Sequence, residues 1–187
     1  MPTFRGFISI DISENENINR ILKELKSVNS SLKLVDAKNL HITLKFLGNT
    51  EESDVPKITK IIEKATDGIS PFEVSLIGMG AFPSERKIRV IWIGIKDSSI
   101  ISIIANRLDE ELISLGYERE RREFSPHLTL ARAKEIISSN QLREIIAQHR
   151  YEDFGRESIR AVRLKKSLLK PEGPTYITIA ERTFDRL

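Results

Sequence analysis

A tetrapeptide that occurs twice constrains this chain more than any other feature. His41-Ile42-Thr43-Leu44 continues into Lys45-Phe46-Leu47-Gly48, and His127-Leu128-Thr129-Leu130 continues into Ala131-Arg132. Of the 3 histidines in the chain, two open this pattern. Alternation of polar and apolar residues is the period of a half-buried β-strand. On such a strand His41 and Thr43 share one face while Ile42 and Leu44 share the other, and the second copy divides in the same way. The sequence thus offers two strands, each with an apolar side for a core and a His/Thr pair on the opposite side.

The surroundings of the two copies also repeat. Alternation from Phe4 to Ile12 predicts an opening strand. Ser13 reads as the cap of a helix, with Glu16 as its capping-box partner and Ile18, Ile21, Leu22, Leu25 and Val28 on one face. Lys33 to Val35 is a short extended piece before the first motif strand. A second helix is predicted from near Ser53, closed by Gly68 and Pro71. Phe72 to Ile77 reads as a strand, and Gly78, Gly80 and Pro83 read as a boundary.

The order then recurs. Ile88 to Ile95 is an apolar run expected to be a strand buried on both faces. A helix follows from about Ser98 to Leu115, stopped by Gly116. The charged segment from Glu118 to Phe124 leads to the second motif. A helix then carries Leu142, Ile145 and Ile146, and two β-patterned stretches, Ser158 to Leu169 and Thr175 to Phe184, are separated by Pro171, Gly173 and Pro174. Each motif histidine falls at nearly the same distance after the opening strand of its half. The expectation is an α/β (α+β) fold in a single domain over residues 1–187. It consists of duplicated β-α-β-α-β units, with pseudo-symmetric lobes built around residues 4–78 and 88–187. A rough two-fold axis between the units would bring His41 and His127 to one cleft.

Composition narrows the function classes. With Cys 0 there is no disulfide, thiol nucleophile or cysteine zinc site. No apolar run approaches the roughly 20 residues of a membrane span, and the first residues lack the parts of a signal peptide. No membrane association and a cytoplasmic location are therefore expected. A net charge of +3 permits a polyanionic partner without demanding one.

Two histidines titrating near neutral pH can act as acid and base on opposite sides of a phosphodiester. A threonine two residues along each strand can donate its hydroxyl to a non-bridging oxygen. Such a site needs no metal and no cofactor, and two histidines are too few ligands for a closed metal site. A single His-x-Thr on a strand is usually structural; its recurrence at equivalent points of a repeat favours function. His149 lacks the motif and is read as structural or solvent-exposed. Arg132 would face away on a regular strand, and reaches the cleft only if the strand ends or twists. Lys45 has the parity to face the cleft. Arg119, Arg121 and Arg122, alternating with glutamates, read as a solvated face. Lys165, Lys166 and Lys170 form a better basic patch. Phe7 and Tyr176 are candidates for stacking a base.

His41 to Gly48 and Ser125-Pro126-His127-Leu128-Thr129-Leu130-Ala131-Arg132 resemble the two signatures of the two-histidine (2H) phosphoesterase superfamily. Within it, the chain is most similar to the RNA 2′,3′-cyclic phosphodiesterases, also called 2′-5′ RNA ligases. The resemblance covers nearly the whole chain. It implies a bilobal fold with mainly antiparallel sheets around a central cleft. It also implies hydrolysis of 2′,3′-cyclic RNA ends to 2′-phosphomonoesters, with 2′-5′ ligation as the reverse. The implied proton donor is His41 and the implied acceptor His127, with Thr43, Thr129 and Arg132 contacting substrate. The implied partner is RNA with cyclic phosphate ends, tRNA fragments included, bound by a monomer. Two rival readings remain open: a non-catalytic RNA- or nucleotide-binding module, and a phosphodiesterase for small cyclic nucleotides such as ADP-ribose cyclic phosphate.

Overall fold

The structure, a computed structural model, describes residues 2–28, 31–170 and 173–184. Its strands are β1 (Thr3–Asp11), β2 (Leu32–Leu34), β3 (His41–Glu51), β4 (Phe72–Ser84), β5 (Lys87–Lys96), β6 (His127–Ile137), β7 (Asp153–Ile159), β8 (Ala161–Lys170) and β9 (Gly173–Thr183). Its helices are α1 (Glu16–Val28), α2 (Val55–Ala65), α3 (Ser99–Leu112) and α4 (Asn140–Gln148). Among the described residues the strands form one antiparallel sheet in the order β7-β4-β5-β6-β3-β1-β8-β9, with β2 added beside β6. The mixed α+β class and the antiparallel sheet are as expected.

The sheet is two halves hinged on one residue pair, four strands on the β3 side and four plus the short β2 on the β6 side. β3 and β6, the motif strands, meet only through Ile42 and Leu128. Both side chains are 0% exposed, a burial worth about 1.5–3 kcal/mol each. Paired residues of antiparallel strands point to the same side. This pair therefore faces the core, and His41, Thr43, His127 and Thr129 all share the opposite face. The pseudo-two-fold axis runs through the Ile42–Leu128 pair.

The lobes do not divide at residues 78–88. β4 pairs with β5 and β7, in the half-sheet of His127, whereas β8 and β9 lie beside β1, in the half-sheet of His41. The helices cross over in the same sense. α1 is tied to the other half by Asn15 Nδ2 donating to Phe154 O at 3.0 Å and by the Arg20–Glu152 ion pair. α3 is tied to α2 by Lys64–Glu111 at 2.6 Å and by Arg107 donating to Ala65 O at 3.3 Å. The first half thus contributes α1, β2 and β4 to the lobe of His127, and the second half contributes α3, β8 and β9 to the lobe of His41. The expected boundary failed because Gly78 and Gly80 interrupt no strand; β4 runs through both. Gly78, at φ 76°, leaves room where a Cβ would lie 2.3 Å from Arg150 O. Gly80 leaves room for the Trp92 indole, which a Cβ would meet at 2.3 Å.

Other expectations shift locally. Asn15, not Ser13, caps α1: its Oδ1 accepts from Ile18 N at 2.9 Å, while Ser13 Oγ donates to Glu157. The run from Ser158 to Leu169 splits at Arg160 into β7 and β8. On β5 only the core side is sealed; Trp92 and Gly94, on the other face, are half-buried. Pro171 lies outside the described residues. Gly116 ends the 3-10 turn after α3 in the left-handed region, φ 84°, as its position predicts.

Candidate active site

The two motif strands carry the same irregularity at the same place. In the ladder of β3 with β1, Thr43 pairs with Ser9 and Lys45 with Ile8, so Leu44 is an extra residue. In the ladder of β6 with β5, Thr129 pairs with Trp92 and Ala131 with Ile91, so Leu130 is the extra residue. A bulge adds one residue and reverses the alternation beyond it. Leu44 and Lys45, like Leu130 and Ala131, both turn toward the core and are at most 4% exposed. The residue five positions after each histidine then returns to the histidine's face: Phe46 in one strand, Arg132 in the other.

The bulge settles two parity questions. Arg132 joins the cleft because the strand is bulged there, and it lines the cavity of about 360 Å³ that holds His41, Phe46 and Tyr176. Lys45, expected in the cleft, is instead 4% exposed on the core side. Its Nζ binds Asp109 Oδ1 on α3 at 2.6 Å and donates to Glu118 O at 2.7 Å. Lys45 therefore fastens the charged segment that leads into the second motif. That segment is only partly a solvated face: Arg119 pairs with Glu110 at 3.1 Å, and Glu120 N donates to Asp109.

Both histidines are held by one device. The Nδ1–H of His41 donates to Asn39 O at 2.6 Å, and the Nδ1–H of His127 donates to Ser125 O at 2.7 Å. A carbonyl can only accept, so each ring keeps its proton on Nδ1 when neutral and leaves Nε2 for the cleft. Asn39 also donates from Nδ2 to Pro174 O at 3.1 Å, which joins the base of β9 to the His41 support. Burial is the main force holding both imidazoles below their ordinary value of 6.5, and both carbonyls oppose it. Lys165 and Arg132 push His41 down further and Asp11 pushes it up; at His127 only Arg132 adds a charge effect.

Aromatic rings wall each histidine. Phe7 lies 5.1 Å and Tyr176 5.3 Å from His41, centroid to centroid. Phe82 lies 5.0 Å from His127, with Trp92 at 6.5 Å. Phe7 is 4% exposed, packed against His41, Tyr176 and Phe46, so it backs the wall and offers no free face to a base. Tyr176 is half-buried, and burial pushes its hydroxyl up against the opposing pull of Arg132 and Arg5. Phe46, 58% exposed, is the open ring of the cleft. Sequence reading missed Phe46, Phe82 and Trp92, since their facing depends on bulges and on glycines across the sheet.

The remaining candidates lie outside the cleft's free chemistry. His149 bonds Glu152 through Nδ1 and Glu24 through Nε2 at 3.1 Å, a structural tie between α4 and α1. Two of the three lysines of the expected basic patch are neutralised, Lys165 by Asp11 at 2.5 Å and Lys166 by Glu52 at 3.6 Å, while Lys170 is exposed at the end of β8. Among the described residues no three His, Asp or Glu side chains are grouped to hold a metal ion. Among them, too, no helix is long and apolar enough to cross a membrane.

Known proteins are similar to this chain in sequence and fold. A family model described as LigT like phosphoesterase matches residues 10–92 and 95–176. An RNA 2′,3′-cyclic phosphodiesterase of Methanothermobacter thermautotrophicus is 36% identical over 92% of this chain and 94% of its own. One of Methanocaldococcus jannaschii is 38% identical over 95% of this chain and 99% of its own. The Escherichia coli LigT structure complexed with 3′-AMP superposes with a TM-score of 0.76 over 99% of this chain and 100% of its own, at 21% identity, a likeness of fold. Matched across both halves and along nearly its whole length, the chain belongs to the LigT-like phosphoesterase family.

Proposed function

We propose that this chain hydrolyses 2′,3′-cyclic phosphodiester ends of RNA to 2′-phosphomonoesters by two-histidine acid/base catalysis, and that it forms 2′-5′ bonds reversibly when a 5′-hydroxyl takes the place of water. The single observation that carries the reading is the matched pair of imidazoles, each locked through Nδ1 and presenting Nε2 to one face. His41 and His127 stand diagonally about the Ile42–Leu128 pair on one face, on either side of a gap where a phosphate can sit. Thr43 and Thr129 occupy the other diagonal, where each hydroxyl can donate to a non-bridging oxygen. A pure binding module would gain nothing from two Nε2 atoms free to exchange protons, so catalysis is the better account. Named relatives that act on RNA favour RNA over ADP-ribose cyclic phosphate.

His127 Nε2 takes a proton from water as the water oxygen bonds to phosphorus. The P–O3′ bond breaks on the opposite side, and protonated His41 gives its Nε2 proton to O3′. The phosphate stays on O2′, the 3′-hydroxyl is restored, and the histidines have exchanged protonation states, which solvent resets. In ligation a 5′-hydroxyl takes the place of water: His127 takes its proton as its oxygen bonds to phosphorus, the P–O3′ bond breaks, and His41 again protonates O3′, leaving a 2′-5′ phosphodiester. Arg132 and the threonines stabilise the charge that builds on the phosphoryl oxygens. Both histidines come from one chain, so a monomer is a complete enzyme.

The test is product analysis by phosphorus NMR on a cyclic-ended dinucleotide. The expected product carries a 2′-phosphate. A predominant 3′-phosphate overturns the assigned sides of attack and departure, and no turnover overturns the hydrolytic reading.

A further inference from the structure

The cations around the cleft divide into two groups. Lys45 is held by Asp109, Lys165 and Arg163 by Asp11, Lys166 by Glu52 and Lys38 by Asp36. Arg5, Arg132, Lys33 and Lys134 are exposed and have no carboxylate partner among the described residues, and the last three lie on β2 and β6. These three are neighbours. Lys33 on β2 is the register partner of Arg132 on β6, so the two side chains stand side by side on one face. Lys134, which lines the same cavity as Arg132 and Lys33, follows two residues along β6, roughly 6.5 Å along the strand. That is a step two successive phosphates of an extended strand can match. Ile136, 55% exposed, lines this cavity as well and offers an apolar surface to a base.

The row is continuous with the histidine pocket. Arg132 lines the His41 cavity, a second cavity of about 190 Å³ beside Lys33 and Tyr176, and a third of about 780 Å³ that reaches Lys134 and Ile136. Beyond Ala133 no described strand pairs β6 on its β2 side, so the third cavity opens along a free edge. Glu135 lines this cavity too, so one carboxylate stands among its cations.

We propose that this groove, running from Arg132 past Lys33 and Lys134 to Ile136, binds the single-stranded RNA on the 5′ side of the cyclic end. The inference rests on the proposed reaction, and it names the substrate more closely: an oligonucleotide, in preference to a mononucleotide. A chain whose terminal phosphate sits between the histidines must continue through its 5′-phosphates. The unneutralised cations contiguous with the pocket supply a path for them.

The experiment compares kcat/KM on a 2′,3′-cyclic mononucleotide and on a trinucleotide with a cyclic end, over a series of salt concentrations. The wild-type protein should prefer the trinucleotide, with a steeper salt dependence. Lys33→Glu with Lys134→Glu should reduce the trinucleotide-to-mononucleotide ratio by tenfold or more. It should also flatten the salt slope by about 1.4, at about 0.7 for each phosphate of a single strand that is no longer neutralised. Lys33→Gln with Lys134→Gln should give a smaller loss in the same direction. An unchanged ratio and slope in both double variants overturns the groove. Failure of the wild-type protein to cleave either substrate overturns the reaction instead. The groove is then read by fluorescence anisotropy with a labelled single-stranded RNA: weaker binding by the variants upholds it, and unaffected binding overturns it.

Discussion

In the half-sheet of His41, the neighbouring strands carry Asp11 opposite the histidine, Ser9 opposite Thr43, and Arg163 and Lys165 one strand further out. In the half-sheet of His127 the same register positions are Gly94, Trp92, Gly80 and Phe82. One imidazole thus lies beside an ionic network and the other beside a slab of rings seated on two glycines. The duplicated fold copies the backbone device where geometry is needed, in the bulge and in the carbonyl two residues before each histidine. It leaves the electrostatics free to diverge. A symmetric scaffold with asymmetric surroundings can give one histidine the role of acid and the other that of base.

The strongest way to break this comparison is to remove each histidine in turn. His41→Ala and His127→Ala should each lower kcat by a factor of about 10² to 10⁴, and the double variant should be little worse than either. The roles separate on a p-nitrophenyl phosphodiester, whose leaving group departs without a proton. His41→Ala should regain most of its activity there, while His127→Ala should not. Equal rescue of both variants would mean that the two lobes are functionally interchangeable.

A second contrast lies behind the bulge. Its second core-facing residue is Lys45 in one strand and Ala131 in the other. Asp109→Ala leaves the Lys45 ammonium, with its side chain 3% exposed, short of its carboxylate. It should destabilise the fold by about 3 kcal/mol in urea titration, the lower end for a broken buried pair, since Glu118 O and Glu120 remain. Lys45→Met with Asp109→Leu should restore most of the loss by making this lobe apolar like the other. A loss under about 1 kcal/mol for Asp109→Ala would show that the pair is not the anchor of the 118–124 segment.

The sequence showed the parts that depend on period and repetition. Strand alternation located both His/Thr pairs and the cores behind them, and the repeat placed the histidines at one site. It could not show the exchange of β4 and β8 between lobes, because strand pairing is a long-range choice that leaves no local trace. The glycines that reveal the exchange looked like turns. Nor could it show facing beyond a bulge. Lys45 and Arg132 were both misplaced or undecided for want of one extra residue per strand, although the His-to-Arg132 offset of five, met again at Phe46, was a usable sign. The charged neighbours of His41 were legible as residues but not as a pair, since Asp11 and Lys165 lie on strands from opposite ends of the chain.

The finest difference between the lobes should appear in pH. With the proposed roles, hydrolysis needs His41 protonated and His127 neutral, so kcat/KM should follow a bell centred midway between their two values. Burial lowers both in the free protein, which places the optimum on the acid side of 6.5, the ordinary imidazole value. A bound phosphate anion favours both protonated forms, so the kcat optimum should lie at higher pH than that of kcat/KM. The groups whose charge acts on His41 are Lys165, Asp11 and Arg132. Asp11→Asn leaves the two cations unopposed, lowers His41 further and moves the kcat/KM optimum to lower pH. Lys165→Met removes a cation, raises His41 and moves the optimum to higher pH. The limbs belong to the coupled pair, so the shift is read from the midpoint and not from either limb alone. Opposite displacements in these two variants sharpen the contrast between a charged lobe and an aromatic one. A midpoint that stays put in both would mean that the Asp11–Lys165 pair serves the fold and not the proton transfer.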